Sequence, residues 1–328
     1  MDIFKDKIVL VTGGTGSFGN EFTEILIKEH KPKTIRIFSR GEKKQLDMEK
    51  KFRKKGLDEN LRFFIGDVRD KDRLRRAMTG VDIVVHAAAL KQVPACEYNP
   101  IEAVRTNIDG AINVIDASID NNVGLVMAIS TDKAVHPVNL YGATKMAAEK
   151  LFIQGNSYSG KSGTKFSCVR YGNVVGSRGS VIPLFLEQKK TRVITITDKK
   201  MTRFFITLEE GVRFVIDCIN RMKGGEVFIP KIPSMKIIDI AKAIAPKAEK
   251  KFIGIRPGEK IHEILLTEDE ARHSKEFRDY FVIEPEHPFW HEDHLKGGKQ
   301  LPDGFRYTSV DNKEWLTKKD IIKMIKEL

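Results

Sequence analysis

The residues best suited to acid–base chemistry lie close together near the middle of the chain. Tyr141 and Lys145 are separated by three residues, so on a helix they would share one face, one turn apart. Beside a lysine ammonium and the positive ring of a nicotinamide cofactor, a tyrosine can ionise below its usual pKa of about 10 and accept a hydroxyl proton. Thr131 precedes them and can hydrogen-bond the same substrate oxygen. These three residues predict a site that oxidises an alcohol.

Asp132 and Lys133 directly follow Thr131 and add a second acid and a second base. A lysine that is desolvated beneath a bound sugar can lose its proton near neutral pH and act as a base. Asp132 could give a proton to a departing hydroxyl. An enzyme that only transfers hydride needs one such pair, so two pairs indicate that oxidation is coupled to a second reaction, such as loss of water. The alternative is an exposed Asp–Lys pair at a strand end, which would contribute little to stability.

A glycine-rich segment follows the first apolar run of the chain. The run 7–12 has the composition of a strand, and a helix is expected to begin at Ser17. Gly13, Gly16 and Gly19 would permit a tight turn, close backbone approach to a pyrophosphate and helix–strand packing, with helix N–H groups pointing at the phosphates. The alternative is a turn with only a structural role. The predicted dinucleotide contacts here are Gly13, Thr15, Gly16, Ser17, Phe18 and Gly19.

The residues at the end of the second predicted strand are expected to determine whether NAD or NADP binds. About 20 residues past the glycine loop, an NAD enzyme offers Asp or Glu to the ribose hydroxyls. This chain offers Ser39 and Arg40, followed by Lys43 and Lys44. Because a carboxylate would repel a 2′-phosphate whereas Arg and Lys would hold it, the sequence predicts NADP. The alternative is a basic helix start that faces solvent.

Two further segments are expected beside the dinucleotide. Asp67 and Val68 follow the third predicted strand and would lie next to the adenine, although Asp67 could instead be a helix N-cap. Ala87 and Ala88 follow the fourth strand and are small enough to let the dinucleotide pass close by. Both segments would lie at the carboxyl ends of parallel strands, where such sheets bind ligands.

The elements that would position these residues alternate along the first half of the chain. Short β-rich runs are followed by longer amphipathic stretches, which is typical of parallel βαβ units. The predicted strands are residues 7–12, 34–38, 61–65, 83–86, 125–129 and 166–171. The predicted helices are residues 17–28, 43–55, 71–78, 100–121 and 140–158. The chain is too short for an eightfold barrel, so we predict an α/β fold with a doubly wound parallel sheet.

The second half of the chain is less regular. A helix is expected near 181–189, strands at 193–196 and 204–206, and then a helix at 208–221 and a strand at 226–229 that rejoin the sheet. We therefore predict a dinucleotide-binding domain at residues 1–176, rejoined by 207–230. A smaller substrate-binding lobe is predicted at residues 177–206 and 231–328. Such a lobe would close over the carboxyl ends of the strands.

Composition and charge exclude several kinds of partner. Hydrophobic residues make up 41% and charged residues 31%, as expected of a soluble globular protein. The net charge is +12, but the lysines are dispersed and form no basic motif interleaved with aromatics, so no nucleic-acid partner is predicted. The surplus charge would also attract ligands that carry a pyrophosphate.

Membrane and metal partners are not expected either. No apolar run approaches the roughly 20 residues of a membrane span, and the N-terminus lacks the layout of a signal peptide. These features predict a cytoplasmic protein without a membrane partner. His287, His291 and His294 cluster but lack the spacing of a metal motif, so a polar surface loop is predicted instead.

Five segments of the sequence form one set of motifs. They are Thr12-Gly-Gly-Thr-Gly-Ser-Phe-Gly19, His86-Ala-Ala-Ala-Leu-Lys91, Ser130-Thr-Asp-Lys133, Tyr141-Gly-Ala-Thr-Lys145 and Arg170-Tyr-Gly-Asn-Val-Val-Gly-Ser-Arg-Gly179. This set resembles the extended short-chain dehydrogenase/reductase superfamily. With Met201-Thr-Arg-Phe-Phe205 and Ile255-Arg-Pro-Gly-Glu-Lys260, the chain more closely resembles the inverting UDP-N-acetylglucosamine 4,6-dehydratases of pseudaminic acid biosynthesis. Thr-Asp-Lys is the discriminating motif, since retaining sugar-nucleotide dehydratases usually carry Thr-Asp-Glu there.

The resemblance implies a mechanism for the candidate residues. Tyr141, supported by Thr131 and Lys145, would deprotonate the C4 hydroxyl of the sugar while hydride leaves for the cofactor. Lys133 would then remove the C5 proton, and Asp132 would protonate the leaving C6 hydroxyl. Return of hydride to C6 and reprotonation of C5 on the opposite face would give a 4-keto-6-deoxy L-sugar. NADP would be regenerated in each cycle and stay tightly bound.

The resemblance also implies contacts to the substrate, UDP-GlcNAc. A homo-oligomer is expected as well. Two alternatives remain open, namely a UDP-sugar 4-epimerase or reductase on the same fold, and a catalytically silent nucleotide-binding scaffold. The implied substrate-binding residues are Lys91, Asn173, Arg178, Thr197, Arg256, Glu259 and Asn312.

Overall fold

The computed structural model describes residues 2–176, 180–286 and 295–326. Its strands are β1 (Ile8–Thr12), β2 (Thr34–Ser39), β3 (Leu61–Ile65), β4 (Ile83–His86), β5 (Leu125–Thr131), β6 (Lys165–Tyr171), β7 (Asn173–Val174), β8 (Val193–Ile196), β9 (Thr202–Ile206), β10 (Val227–Pro230), β11 (Ser234–Lys236), β12 (Glu249–Phe252), β13 (Ile264–Leu266), β14 (Ser274–Glu276), β15 (Tyr280–Ile283), β16 (Lys299–Gln300) and β17 (Tyr307–Thr308). Its helices are α1 (Ser17–His30), α2 (Glu42–Lys54), α3 (Lys71–Met78), α4 (Val93–Tyr98), α5 (Pro100–Val104), α6 (Gly110–Asp120), α7 (Leu140–Gln154), α8 (Val181–Gln188), α9 (Leu208–Arg221), α10 (Ile237–Ile244), α11 (Glu268–Ala271) and α12 (Lys318–Lys326).

Ten of these strands form one sheet in the order β16-β14-β15-β10-β6-β5-β4-β1-β2-β3. Neighbours from β10 through β3 run parallel, whereas β14, β15 and β16 pair antiparallel at the other end. The order β3-β2-β1-β4-β5-β6 is that of a doubly wound dinucleotide-binding sheet. The predicted α/β fold is confirmed.

The parallel strands form the main core because helices cover the sheet. Val9, Leu10 and Val11 in β1 are fully buried, as expected of a strand that has no solvent-facing side. Helices α1 and α9 pack together, and α6 packs against both α3 and α7. These two helical groups hold in place the strand ends that carry the candidate residues.

The predicted elements of the first half are found with small shifts at their ends. The helix predicted over 100–121 is divided into α5 and α6 by a π-helical turn at Arg105–Asp109. The helix predicted over 140–158 ends as α7 at Gln154 and continues as a 3₁₀ turn, Gly155–Tyr158. Helix α4 was not predicted, because six residues are too few to show helical periodicity.

Some strands of the C-terminal segment belong to the main sheet and not to the predicted lobe. Residues 231–328 were all assigned to the lobe, yet β14, β15 and β16 extend the main sheet. All four side chains of β15 are buried, and β15 pairs with β10. Because an unpaired edge of β10 would expose backbone groups and apolar side chains, covering it is favourable.

A second, smaller core marks the lobe. It joins α8, β8, α10 and α12 through buried residues such as Phe185, Ile194, Ile240 and Ile321. The predicted helix 181–189 and strand 193–196 both contribute to it. Across the described ranges, no helix is both long and apolar enough to cross a bilayer.

Candidate active site

The glycine loop after β1 has the tight backbone geometry that a dinucleotide requires. Gly13 has φ +66°, and a Cβ there would lie 2.9 Å from the Cα of Ala88. A Cβ on Gly19 would lie 2.3 Å from the carbonyl oxygen of Gly14, so helix α1 packs directly on the turn. Gly16 caps α1 without a side-chain hydrogen bond, which leaves the first N–H groups for an anion. The loop therefore fits a pyrophosphate.

A cavity of about 760 Å³ runs from this loop along the carboxyl ends of the strands. Of the predicted cofactor residues, Gly19 and Lys43 do not line it. Gly19 acts through packing, and Lys43 is exposed on α2. Those that line it are Gly13, Thr15, Gly16, Ser17, Phe18, Ser39, Arg40, Lys44, Asp67, Val68, Ala87, Ala88, Tyr141 and Lys145.

Arginine and aspartate meet at the end of the cavity next to β2 and β3. Arg40 Nη1 lies 3.8 Å from Asp67 Oδ2, and Arg69 Nη2 lies 2.7 Å from the same oxygen. Burial raises the pKa of Asp67, but Arg69 and Arg40 lower it by more, so this carboxyl stays ionised. Asp67 is not the N-cap of α3, because Asp70 takes that position and accepts from the backbone N–H of Arg73. The capping alternative for Asp67 is wrong.

Helix α7 presents Tyr141 and Lys145 to the cavity. The helix begins where the side chain of Asn139 accepts from the backbone N–H of Gly142, at 2.8 Å. Lys145 Nζ donates to the carbonyl of Ile129 at 2.7 Å, which fixes its direction, and burial lowers its pKa. Both side chains are buried and both line the cavity.

The electrostatics of Tyr141 differ from the expectation. Burial raises its pKa to about 12, although the charge of Lys133 and the side chain of Thr131 act in the lowering direction. The protein's own groups therefore do not depress this pKa. Depression would require the additional positive charge of a nicotinamide ring.

Asp132 is buried and Lys133 is partly buried beside it, which excludes the alternative of an exposed pair. They lie in a 3₁₀ turn, Asp132–Ala134, directly after β5. Asp132 Oδ1 accepts from Lys133 Nζ at 2.7 Å and from Thr131 Oγ1 at 2.9 Å. Lys133 Nζ lies 3.3 Å from Asn173 Oδ1, and both of these residues line the cavity. Asp132 is 0% exposed, does not line the cavity, and has no hydrogen-bond partner on Oδ2.

The protonation state of this pair also departs from the sequence-based expectation. Burial would lower the pKa of Lys133, but Asp132 and Glu263 raise it by more, so the protonated ammonium is favoured. Burial raises the pKa of Asp132, and Glu263 raises it further against the opposing effect of Lys133. The predicted lysine of lowered pKa is therefore not what this arrangement produces. Lys133 can become a base by passing its proton to Asp132, which the raised pKa of Asp132 favours.

Glu263 was missed by the sequence analysis. It approaches Lys133 Nζ to 3.6 Å and Arg203 Nε to 3.5 Å, and Lys260 Nζ lies 3.3 Å from its other oxygen. A usable signal was present in the sequence. Glu263 directly precedes the apolar run of β13, and a charged residue at the start of an apolar strand calls for a buried partner.

The predicted substrate-binding residues separate into two groups. Lys91 and Asn173 line the cavity, whereas Thr197, Arg256, Glu259 and Asn312 do not. Asn312 donates to the carbonyl of Ile232 and to Ser234 Oγ, so its contacts are those of a structural loop residue.

Arg256 and Glu259 lie 4.0 Å apart within one turn, away from the cavity lining. That turn is tied to the start of α7, because Asn139 Nδ2 donates to the carbonyl of Gly258 at 2.7 Å. Arg178 lies outside the described residues.

Metal binding was not expected. His287, His291 and His294 fall outside the described residues. Among the residues that the structure does describe, no group of three or more potential ligands could hold a metal ion.

Known proteins share the sequence and fold of this chain. A family described as polysaccharide biosynthesis protein matches residues 9–285. A UDP-N-acetylglucosamine 4,6-dehydratase (inverting) of Campylobacter jejuni subsp. jejuni is 50% identical, covering 98% of each chain. A UDP-glucose 4-epimerase of Rickettsia conorii is 45% identical over 86% of this chain and 84% of its own. The X-ray structure of Pen from Bacillus thuringiensis is 40% identical, covers 100% of both chains and superposes with a TM-score of 0.90.

Proposed function

The chain belongs to the polysaccharide biosynthesis protein family, and from this membership and its extended short-chain dehydrogenase/reductase fold we propose that it is an inverting UDP-N-acetylglucosamine 4,6-dehydratase. One observation carries the proposal. Thr131, whose hydroxyl acts on the pKa of Tyr141, donates to Asp132 at 2.9 Å, and Asp132 accepts from Lys133 at 2.7 Å, so Thr131 links the tyrosine to the Asp132–Lys133 pair. Hydride transfer alone would need Tyr141 but not the Asp132–Lys133 pair.

The first step uses the tyrosine end. Tyr141 takes the proton of the C4 hydroxyl, with Thr131 beside it and Lys145 held by the carbonyl of Ile129. A bound nicotinamide would supply the hydride chemistry, by taking hydride from C4 and returning it to C6. Oxidation at C4 makes the C5 hydrogen acidic, because the carbanion that forms is conjugated with the ketone.

The second step uses the lysine end. After proton transfer to Asp132, the Lys133 amine removes the C5 proton. The C6 hydroxyl then leaves as water when it receives a proton from the Asp132–Lys133 pair. Because Asp132 is buried and outside the cavity lining, its proton would reach the sugar through Lys133. A proton that originates from solvent then reaches C5 on the other face, which gives the inverted 4-keto-6-deoxy sugar once hydride has been returned to C6.

NADP is the proposed cofactor. Arg40 and Lys44 line the ribose end of the cavity and suit a 2′-phosphate. Asp67 also lines this end, so the basic character is partly offset. A role in pseudaminic acid biosynthesis, a cytoplasmic location and a homo-oligomer stay predictions.

The dehydratase is tested by incubating the protein with UDP-GlcNAc in deuterated water and following the sugar by NMR. We expect a 4-keto-6-deoxy product with deuterium at C5 and no requirement for added cofactor. In Lys133→Ala, C4 can still be oxidised but elimination should fall by about 10²- to 10⁴-fold, as for loss of a general base. Lys190→Ala removes an exposed lysine that does not line the cavity and is the matched control. Full turnover by Lys133→Ala would remove Lys133 from its role.

A 4-epimerase is the second candidate, because the Rickettsia conorii relative carries that name. It predicts UDP-GalNAc as the product, without loss of water. Recovery of that sugar alone in the same NMR experiment would favour the epimerase over the dehydratase.

A further inference from the structure

Glu263 is a buried carboxylate with no role in the mechanism above. It is 2% exposed and is absent from the cavity lining. Burying a carboxylate is costly unless cations accompany it. Three do so here, since Lys133, Arg203 and Lys260 each have a nitrogen within 3.6 Å of its oxygens.

The partners of Glu263 also hold the backbone of the catalytic turn. Lys260 Nζ donates to the carbonyl of Val135 at 2.7 Å and lies 3.5 Å from the carbonyl of Asp132. Arg203 donates to the carbonyl of Lys260 at 2.8 Å and to that of Ile261 at 3.0 Å. The turn after β5, strand β9 and the segment before β13 are thereby joined around one carboxylate.

Lys133 is the member of this cluster that lines the cavity. Its ammonium lies 2.7 Å from Asp132 Oδ1 and 3.6 Å from Glu263 Oε1, so two carboxylates restrict a long and otherwise flexible side chain. Placement of a reacting group matters greatly, because an error of about 1 Å can cost on the order of 100-fold in rate.

We propose that Glu263 is a positioning residue for the elimination step, which holds the Lys133 amine at the cavity wall and, through Lys260, the turn that carries it. This inference rests on the proposed dehydratase, because Glu263 acts through Lys133. Arg203 and Lys260 complete the cluster. Burial raises the pKa of Glu263, but Lys133, Arg203 and Lys260 lower it by more, so the carboxylate stays ionised.

The charges around Lys133 support an effect on proton transfer as well. The groups that act on it are Asp132, Glu263 and Arg203, and Lys91 is a further ammonium nearby. Glu263 raises the pKa of Lys133 and that of Asp132. Removing its charge should therefore lower both pKa values and move the pH range in which Lys133 loses its proton to lower pH.

The test is Glu263→Gln, which keeps the size of the side chain and removes its charge. Glu268→Gln neutralises an exposed carboxylate in the same segment and is the control. Single-turnover mixing with UDP-GlcNAc separates C4 oxidation, seen as absorbance of the reduced nicotinamide, from elimination, seen as deuterium at C5. We expect elimination to slow about 10- to 100-fold, because Lys133 is no longer held in place. The rate of C4 oxidation and the KM should stay within about twofold of the wild-type values. The ascending limb of the pH profile should move to lower pH than in the wild type. Glu263→Asp should recover part of the rate.

A purely structural role for Glu263 predicts a different result for Glu263→Gln. If Glu263 only balances the charges of Arg203 and Lys260, its loss would lower the melting temperature and slow C4 oxidation and elimination equally. That result would overturn the proposal. An unchanged rate of elimination, or an ascending limb of the pH profile at the same pH as in the wild type, would overturn it as well. If Glu263→Gln does not fold, Glu263→Asp, which keeps the charge and shortens the side chain, is measured in the same way. Absence of dehydration in the unmodified protein would instead refute the proposed function.

Discussion

At the scale of single residues, the cofactor end of the cavity shows how neighbours in sequence acquire different roles. Lys43 and Lys44 follow the start of α2 at Glu42, and successive residues of a helix project about 100° apart. Lys44 lines the cavity and Lys43 does not. Arg40 lies before the helix, and its guanidinium is within 3.8 Å of Asp67. Arg40 and Lys44 are therefore the two residues on which the proposed preference for a 2′-phosphate depends.

Replacing Arg40 by Ala tests that preference. We expect NADP binding to weaken about tenfold or more, since a charge-assisted hydrogen bond contributes roughly 1.5–3 kcal/mol. NAD binding should change little, because it has no 2′-phosphate. Calorimetric titration of the cofactor-free protein with each nucleotide measures both affinities. Lys50→Ala, an exposed change on the same helix, is the control, and an equal loss for both nucleotides would contradict NADP selectivity.

At the scale of elements, the helix that carries Tyr141 and Lys145 is fixed to the sheet by a buried ion cluster. Arg170 in β6 bonds Glu149 of α7 and Glu270 of α11, and Arg170 and Glu149 are almost completely buried. Burial of the guanidinium is outweighed by the two carboxylates, so the pKa of Arg170 lies above its ordinary value. The cluster joins β6, α7 and α11.

Arg170→Met should therefore be strongly destabilising. Removing one partner leaves buried carboxylates without a counter-ion, which typically costs about 3–5 kcal/mol. The free energy of unfolding in urea measures the effect. Arg213→Met removes an exposed arginine that also pairs with two carboxylates, and solvent screening should keep its cost within about 1 kcal/mol. Similar costs for the two changes would contradict a buried cluster that holds α7 in place.

At the scale of the whole molecule, the protein combines one large sheet with a lobe that has its own small core. The centre of the sheet contains a polar link, because Thr12 of β1 and His86 of β4 are opposite each other and hydrogen-bonded at 2.8 Å. Burial lowers the pKa of His86 to about 3, and the charge of Lys145 acts in the same direction. The folded protein therefore keeps this imidazole neutral.

The pH dependence of folding follows from that shift. The unfolded chain binds a proton at His86 below pH 6.5 whereas the folded protein does not until about pH 3, so stability falls by about 1.4 kcal/mol per pH unit in this window. Between about pH 7 and pH 5, the stability gap between wild type and His86→Asn should shrink by about 2 kcal/mol. Urea unfolding at both pH values measures it, with exposed His273→Asn as the control. A constant gap would refute a neutral buried His86.

The amino-acid sequence by itself determined those features that depend on neighbours along the chain. The glycine loop between β1 and α1 and the spacing of Tyr141 and Lys145 are local, because turn geometry and helical pitch are set by residues a few positions apart. The six parallel strands followed from their apolar runs in the same way. The resemblance in motifs then indicated the chemistry.

Only the tertiary structure decided which distant residues meet. Glu263 reaches Lys133 from a distant part of the chain and, together with Asp132, raises the pKa of an amine that its local sequence had suggested would be low. Arg203 and Lys260 come from two further segments and pair with Glu263. The burial of Asp132 and the pairing of β15 with β10 are likewise results of packing. Burial and charge act through space, and a single chain does not reveal which of its distant segments will share a low-dielectric site until it is folded.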